Sequence, residues 1–193
     1  MINKWQKSQD VTLEKYLRTG NPVGVFSYKG MKSAERLGEI LKENIKGSCL
    51  DIGCGMLPRP AYMCEGIDWY GVDPLDDGKE KDFKFKKAMA EKLPYEDNSF
   101  DNVLFATSLD HVVDIEKTLK EAIRVLKKDG LIILWQFVIP ERSYQEWQQT
   151  GEWFNQFHPF AFSHRRILEM FKDNKLIYLE SIAVAENVYI FKI

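Results

Sequence analysis

The order of short apolar runs along this 193-residue chain is the feature that most restricts its fold. The runs lie at residues 48–52, 69–72, 83–87, 102–106 and 131–137. A helix is predicted between the last two, over residues 115–127, and residues 127–130 supply its stop signal. Parallel strands need crossover connections, and such crossovers place helices on both faces of a sheet. The pattern therefore predicts an α/β fold.

The two ends of the chain complete this prediction. Residues 10–44 carry helical patterning, interrupted at residues 20–24 by a glycine- and proline-containing turn. After a helix near residues 165–172, the runs 176–183 and 187–192 are typical of a hairpin. We expect a three-layer, doubly wound, seven-stranded, mostly parallel sheet with an antiparallel C-terminal strand.

Length favours one domain over residues 1–193. We expect residues 1–46 to form a helical cap, and residues 47–193 a Rossmann-like core with a lid-like insertion at residues 139–163.

Composition argues against several classes of protein. A net charge of −2 does not suit a protein that binds nucleic acid through its phosphates. We expect neither a signal peptide nor a membrane span, and hence a cytoplasmic protein. Three cysteines without C-x-x-C spacing predict reduced thiols, not a disulfide framework or a zinc site. The oligomeric state stays open.

The most informative motif is an apolar strand that runs directly into closely spaced glycines, Cys-Leu-Asp-Ile-Gly-Cys-Gly at residues 49–55. Gly53 and Gly55 allow a sharp turn and a close backbone approach to a ligand. Asp73 ends the next strand, 22 residues after Asp51, where a carboxylate can accept hydrogen bonds from a ribose diol. Each motif alone also suits a plain turn or strand end, but together they predict a ligand site.

A nicotinamide dinucleotide is the rival ligand, because it too uses a glycine loop and an acidic strand end. The third glycine of its G-x-G-x-x-G fingerprint is replaced by Pro58, and Pro60 follows. Asp51 would repel a phosphate and attract a cationic sulfonium or ammonium group. These residues favour S-adenosylmethionine.

At these residues the chain resembles the class I S-adenosylmethionine-dependent methyltransferases of the small-molecule type, over roughly residues 49–134. The resemblance also includes the Ala-Glu-x-Leu-Pro element at residues 90–94 and implies methyl transfer, with S-adenosylhomocysteine as product. Leu57 and Met89 depart from the family pattern, in which a glycine and an acid are frequent. The expected cofactor-binding residues are Asp51, Gly53, Cys54, Gly55, Asp73, Pro74, Ala90, Glu91 and Ala106.

Asp110 and His111 follow the strand at residues 102–106 and are the candidate catalytic bases, because they lie beyond its carboxyl end. The alternatives are a helix cap for Asp110 and a packing role for His111.

The insertion at residues 139–163 is rich in aromatic side chains and suits either a lid over an acceptor or a helix that covers the core. His158 and His164 lie in or beside it. Neither has a metal-ligand spacing with Asp or Cys, so we expect no metal.

The predicted function is methyl transfer from S-adenosylmethionine to a small-molecule acceptor such as a hydroxyl of a sugar or another metabolite. A non-catalytic S-adenosylmethionine-binding partner or sensor is the alternative, and a nicotinamide-dependent reductase is a third hypothesis.

Overall fold

The computed structural model describes residues 2–19, 29–155 and 157–193. The helices are α1 (Ile2–Thr19), α2 (Lys32–Asn44), α3 (Ile115–Val125), α4 (Glu141–Gln148) and α5 (His164–Met170). The strands are β1 (Ser48–Ile52), β2 (Asp68–Asp73), β3 (Lys84–Lys87), β4 (Phe100–Ala106), β5 (Leu126–Phe137), β6 (Lys175–Ala183) and β7 (Glu186–Lys192). The turn predicted at residues 20–24 lies outside the described residues.

The strands form one seven-stranded sheet in the order β3-β2-β1-β4-β5-β7-β6. The pairs β3-β2, β2-β1, β1-β4 and β4-β5 are parallel, whereas β7 is antiparallel to both β5 and β6. The predicted fold class is therefore confirmed, including the C-terminal hairpin. β6 forms the edge of the sheet, and β7 is inserted beside β5.

Side-chain alternation along the strands creates two hydrophobic cores, one on each face of the sheet. Leu50 and Ile52 pack in a core that also contains residues of α3 and α5. Cys49 and Leu104 face the opposite core, which is built largely on α2. This alternation is the period of two that a pleated strand imposes, and it produces the three predicted layers.

Several element boundaries differ from the prediction, and the start of α1 and the end of α3 are two of them. α1 begins at Ile2 instead of near residue 10. α3 ends at Val125 and not at residue 127, because Leu126 is buried and pairs with Phe100 of β4. Residues 127–130 then belong to the first part of β5, with Asp129 at a φ of 63°.

The sheet order places the carboxyl ends of β1, β2 and β4 side by side. β1 lies between β2 and β4, and Asp51 is level with Gly71 on one side and Leu104 on the other. The chain order reverses at β1, and such a switch point is where open α/β sheets bind ligands. None of the helices in the described ranges is long and apolar enough to span a membrane.

Candidate functional site

A cavity of about 260 Å³ opens at this switch point. The loops after β1, β2 and β4, residues 88–91, α1 and the segment after α4 all contribute to its walls. Of the expected site residues, those that line it are Gly53, Cys54, Gly55, Asp73, Pro74, Ala90, Glu91, Ala106, Asp110 and His111. The cavity thus brings together all but one of the residues selected from the sequence.

The glycine loop is held against β2 by its backbone. The N–H groups of Gly53 and Cys54 both donate to the carbonyl of Val72, at 2.8 and 3.2 Å. Gly53 has a φ of +78°, and a Cβ there would lie 2.5 Å from the Cβ of Ser108. Gly55 has a φ of +71°, but a Cβ there would have no heavy atom within 4 Å. Gly53 is therefore required for packing, whereas Gly55 leaves open space beside the cavity.

Asp73 links this loop to the end of β2. One carboxylate oxygen accepts from the N–H of Gly55 at 2.9 Å, and the other accepts from the N–H of Leu75 at 2.8 Å. Burial raises the pKa of Asp73 to about 6, although these two hydrogen bonds oppose the shift. Each carboxylate oxygen can accept more than one hydrogen bond, so the fixed carboxylate retains capacity for a diol.

Asp51 is the predicted residue that does not line the cavity. Its side chain is fully buried, and its Oδ2 accepts a 2.7 Å hydrogen bond from the hydroxyl of Tyr62, which does line the cavity. Its Oδ1 has no hydrogen-bond partner within the described ranges. Burial raises the pKa of Asp51 to about 7, partly opposed by the Tyr62 hydrogen bond. Asp51 therefore reaches the site through Tyr62 and not by the direct contact expected.

Glu91 lines the cavity but also has a structural task. Its Oε1 accepts from the N–H groups of Val113 and Asp114, at 2.7 and 3.0 Å. These bonds attach the loop at residues 88–91 to the segment that precedes α3. The adjacent Ala88, Met89 and Ala90 contribute apolar surface to the same wall.

Asp110 and His111 lie in a short 3₁₀ helix, Leu109–His111, after β4. The cap of α3 is Asp114, whose side chain accepts from the N–H of Lys117, so the structure does not support a capping role for Asp110. Asp110 is 7% exposed, and its Oδ1 has no partner among the residues described. His111 is half-buried, and its Nδ1 donates to the carbonyl of Phe157 at 3.1 Å.

His158 completes this end of the cavity. Its Nε2 lies 3.7 Å from Oδ2 of Asp110, and its ring centroid is 4.3 Å from that of His111. Desolvation lowers the pKa of His158, and the proximity of His111 lowers it further, against an opposing effect of Asp110. His164, which the sequence could not separate from His158, instead contacts the hydroxyl of Tyr189 at 2.9 Å and does not line the cavity.

Two further cavity residues had no distinctive sequence signal. The indole Nε1 of Trp5, in α1, donates to the carbonyl of His111 at 2.6 Å. Thr107 has a φ of 56°, a backbone conformation that is rare for a β-branched residue. Such strain persists where the surrounding structure imposes it, and it often marks functional sites.

The side chains of the insertion at residues 139–163 divide between the cavity and the core. Phe157 and His158 line the cavity. Tyr144 and Phe162 are buried and cover the core instead, while Phe154 is 42% exposed. The aromatic content of the segment therefore serves packing as well as the cavity.

Comparisons with known proteins agree with this geometry. Residues 50–134 match the family model for a methyltransferase domain. The ubiquinone/menaquinone biosynthesis C-methyltransferase UbiE of Rickettsia akari is 48% identical over 64 residues, which cover 33% of this chain and 26% of that protein. Its counterpart in Pseudomonas fluorescens is 31% identical over 131 residues, covering 64% and 44%. The chain thus spans less than half the length of these curated relatives.

Solved structures share the fold at low sequence identity. The 1,6-didemethyltoxoflavin-N1-methyltransferase of Burkholderia thailandensis, solved with its substrate and S-adenosylhomocysteine, has a TM-score of 0.73 at 13% identity and covers 98% of this chain and 89% of its own. The [4+2]-cyclase SpnF has a TM-score of 0.66 at 20% identity and covers 94% and 76%. Taken with the match over residues 50–134, these findings show that the chain is similar in sequence and in fold to the class I S-adenosylmethionine-dependent methyltransferases.

Proposed function

We propose that this chain transfers a methyl group from S-adenosylmethionine to a hydroxyl of a small-molecule acceptor, such as a sugar or another metabolite. The observation that carries the proposal is that one cavity contains both the glycine loop with Asp73 and the pair Asp110 and His111. The first set suits a nucleoside, and the second suits a proton acceptor beside a substrate.

The residues present fit the cofactor. The open space beside Gly55 admits a ligand atom close to the backbone, and Asp73 presents a fixed carboxylate to a ribose diol. In its ionised form, the buried Asp51, bonded to Tyr62, adds negative potential behind the glycine loop and so favours a cationic ligand over a phosphate. Pro74, Ala90 and the hydrophobic part of Glu91 offer surface to the adenosine, while Cys54 and Ala106 line the cavity near the strand ends.

When bound, S-adenosylmethionine supplies a methyl carbon attached to a positively charged sulfur, which leaves as the neutral thioether of S-adenosylhomocysteine. The task left to the protein is to align the acceptor, exclude water and receive the proton of the hydroxyl. As the new oxygen–carbon bond forms and the carbon–sulfur bond breaks, that proton passes to Asp110 or His111. Both residues line the cavity, and Oδ1 of Asp110 has no hydrogen-bond partner within the described ranges.

The relatives do not identify the acceptor. The curated relatives are named as C-methyltransferases, and the Burkholderia enzyme as an N1-methyltransferase. SpnF is named as a cyclase, so this fold also accommodates other chemistry. The hydroxyl proposal instead rests on Asp110 and His111, since an alcohol needs a positioned base more than a thiolate or a free amine does.

We also propose that residues 1–193 act as a single domain, because α1 closes a cavity whose other walls come from the sheet. The proposal places the reaction in the cytoplasm, where the free thiols of Cys49, Cys54 and Cys64 stay reduced.

The test measures S-adenosylhomocysteine released from S-adenosylmethionine in the presence of panels of alcohol, amine and carbon acceptors. We expect turnover with a hydroxyl-bearing acceptor, and a loss of about 10²-fold or more in rate for the Asp110→Asn, His111→Gln double variant with cofactor affinity retained. The His164→Gln variant is the control, because His164 lies outside the cavity. Binding of S-adenosylmethionine without turnover of any acceptor would instead indicate the non-catalytic partner or sensor.

A further inference from the structure

We propose that Asp110, His111 and His158 form a binding site for a divalent transition-metal ion at the acceptor end of the cavity. One potential ligand atom of each residue lies within 4.8 Å of one from each of the others. All three residues line the cavity. Two imidazoles and one carboxylate are a common ligand set for catalytic zinc and for non-haem iron.

The buried carboxylate of Asp110 provides an independent indication of a cation site. Its side chain is 10% exposed, and its Oδ1 has no hydrogen-bond partner in the described part of the chain. A buried carboxylate oxygen without a partner is costly, because its lost hydration is not replaced. A metal ion between Asp110 and the two imidazoles would remove that cost.

Hydrogen bonds fix the tautomer of both histidines. A carbonyl oxygen can only accept, so Nδ1 of His111 must donate to Phe157. Oδ1 of Asn155 accepts from the N–H groups of Phe157 and His158, at 2.9 and 3.0 Å, which identifies that atom as the amide oxygen. Nδ1 of His158 lies 2.8 Å from this oxygen and must therefore donate as well.

In the neutral form, each ring consequently carries its lone pair on Nε2. Metal-binding histidines characteristically donate their other ring N–H to a carbonyl or carboxylate, and this arrangement orients the ring and holds the tautomer. Phe157 and Asn155 provide this second layer of contacts here.

The ligand set also selects the ion. Imidazole nitrogen suits Zn²⁺, Fe²⁺, Co²⁺ and Ni²⁺, whereas Mg²⁺ and Ca²⁺ prefer all-oxygen sites. Metal–ligand bonds of about 2.0–2.1 Å require ligand atoms within about 4 Å of each other. The present separations, up to 4.8 Å, must therefore shorten on binding. His158 lies after α4 in a stretch where the described residues form no helix or strand, and a shift of this stretch would shorten the separations.

An ion at this position would also contribute to the proposed methyl transfer. This contribution, unlike the metal site itself, rests on the proposed function. Coordinated to the acceptor hydroxyl, the ion would lower the pKa of that hydroxyl and orient its oxygen. His111 would then act on the acceptor only through the ion, because its Nε2 lone pair would be used in coordination, and the carboxylate oxygen of Asp110 that does not bind the ion would receive the proton. The proposal departs from the expectation of no metal, because residue spacing could not reveal that His158 lies beside Asp110.

The test titrates chelator-treated protein with Zn²⁺ by calorimetry and with Co²⁺ by visible absorption. We expect one equivalent to bind, with a spectrum of nitrogen and oxygen ligands. The His158→Ala and Asp110→Asn variants should each weaken binding by more than the roughly 10–100-fold typical of losing a supporting contact. The His164→Ala variant, which removes the other histidine of the insertion region, should bind like the parent.

Circular dichroism of every variant verifies that it is folded, and Asp110→Asn preserves the shape of the side chain. The absence of saturable binding, unchanged affinity in the folded Asp110 and His158 variants, or a thiolate-to-cobalt charge-transfer band would each overturn the site. Parallel titration with S-adenosylmethionine separates the two proposals. Cofactor binding without metal binding refutes only the metal site, whereas metal binding without cofactor binding refutes only the methyltransferase proposal.

Discussion

The two glycines after β1 differ in what their missing side chains permit. Both have positive φ, which costs a non-glycine residue of the order of 1 kcal/mol or more. Only Gly53 also abuts a side chain, that of Ser108.

We expect Gly53→Ala to destabilise the protein by about 1–3 kcal/mol more than Gly55→Ala, because it adds a steric overlap to the same backbone strain. Urea unfolding of the two variants measures the difference. Equal destabilisation would show that the Ser108 contact relaxes without cost. Gly55→Ala should nevertheless weaken S-adenosylmethionine binding, since its methyl group would occupy open space beside the cavity.

Asp73 is the residue for which the ribose assignment is most directly testable. Asp73→Ala should weaken S-adenosylmethionine binding by a few kcal/mol, because each charge-assisted hydrogen bond to the diol contributes roughly 1.5–3 kcal/mol. Asp76→Ala is the matched control, since its carboxylate accepts from the N–H of Gly78 and does not line the cavity. Unchanged affinity in folded Asp73→Ala protein would refute the assignment.

At the scale of elements, α1 forms one wall of the cavity. Trp5, Gln9 and Thr12 line it, and their spacing places them on one face of the helix. Trp5 is 5% exposed and is bonded to the backbone of His111. The helix therefore connects the N-terminal region to the acceptor end of the site.

Trp5→Ala should weaken cofactor binding by about tenfold or more, an effect of about 1.4 kcal/mol, because it removes both packing and a hydrogen bond at the wall. Leu17→Ala in the same helix should have no such effect, since Leu17 is 61% exposed. Calorimetry measures both variants. Equal affinities in the two would show that α1 does not close the site.

Most elements were predictable because their patterning is local. β1 was predicted with its observed bounds, since an apolar run that ends in glycine has few alternatives. The start of α1 was not predicted, because the sequence there is polar and gives no local signal. This part of the helix is held by Trp5, which contacts His111 more than a hundred residues away. The end of α3 was misplaced because burial of Leu126 against the core outweighs its helical propensity.

At the scale of the molecule, the order of the strands in the sheet brings separate sequence motifs together at one site. The strand-end argument correctly placed Asp73, Gly55 and Asp110 around one cavity. It could not reveal the Tyr62 partner of Asp51 or the approach of His158, since both depend on loop paths with no sequence periodicity.

Asp51 is buried near the carboxyl end of β1, and this burial predicts that global stability depends on pH. Its pKa rises from 3.8 to about 7 on folding, so the folded protein holds the proton more tightly than the unfolded chain. The stabilisation is fully present below pH 3.8 and is lost as the pH rises towards 7, so the contribution of Asp51 to the unfolding free energy falls across that window.

Asparagine does not titrate, so the stability of Asp51→Asn relative to the parent should increase as the pH rises through this window. The total gain in the free energy of unfolding should be a few kcal/mol, since each pKa unit corresponds to about 1.4 kcal/mol. Tyr62→Phe removes a hydrogen bond that lowers the pKa of Asp51, so its loss of stability should continue to higher pH. Urea unfolding at several pH values measures both effects. A constant difference between Asp51→Asn and the parent would contradict the assigned pKa.

The most direct test of the central claim is calorimetric titration of the protein with S-adenosylmethionine, S-adenosylhomocysteine and NAD in parallel. The cavity around Gly55 and Asp73 predicts saturable binding of both adenosyl ligands and none of NAD. Binding of NAD alone, or of none of the three, would contradict it.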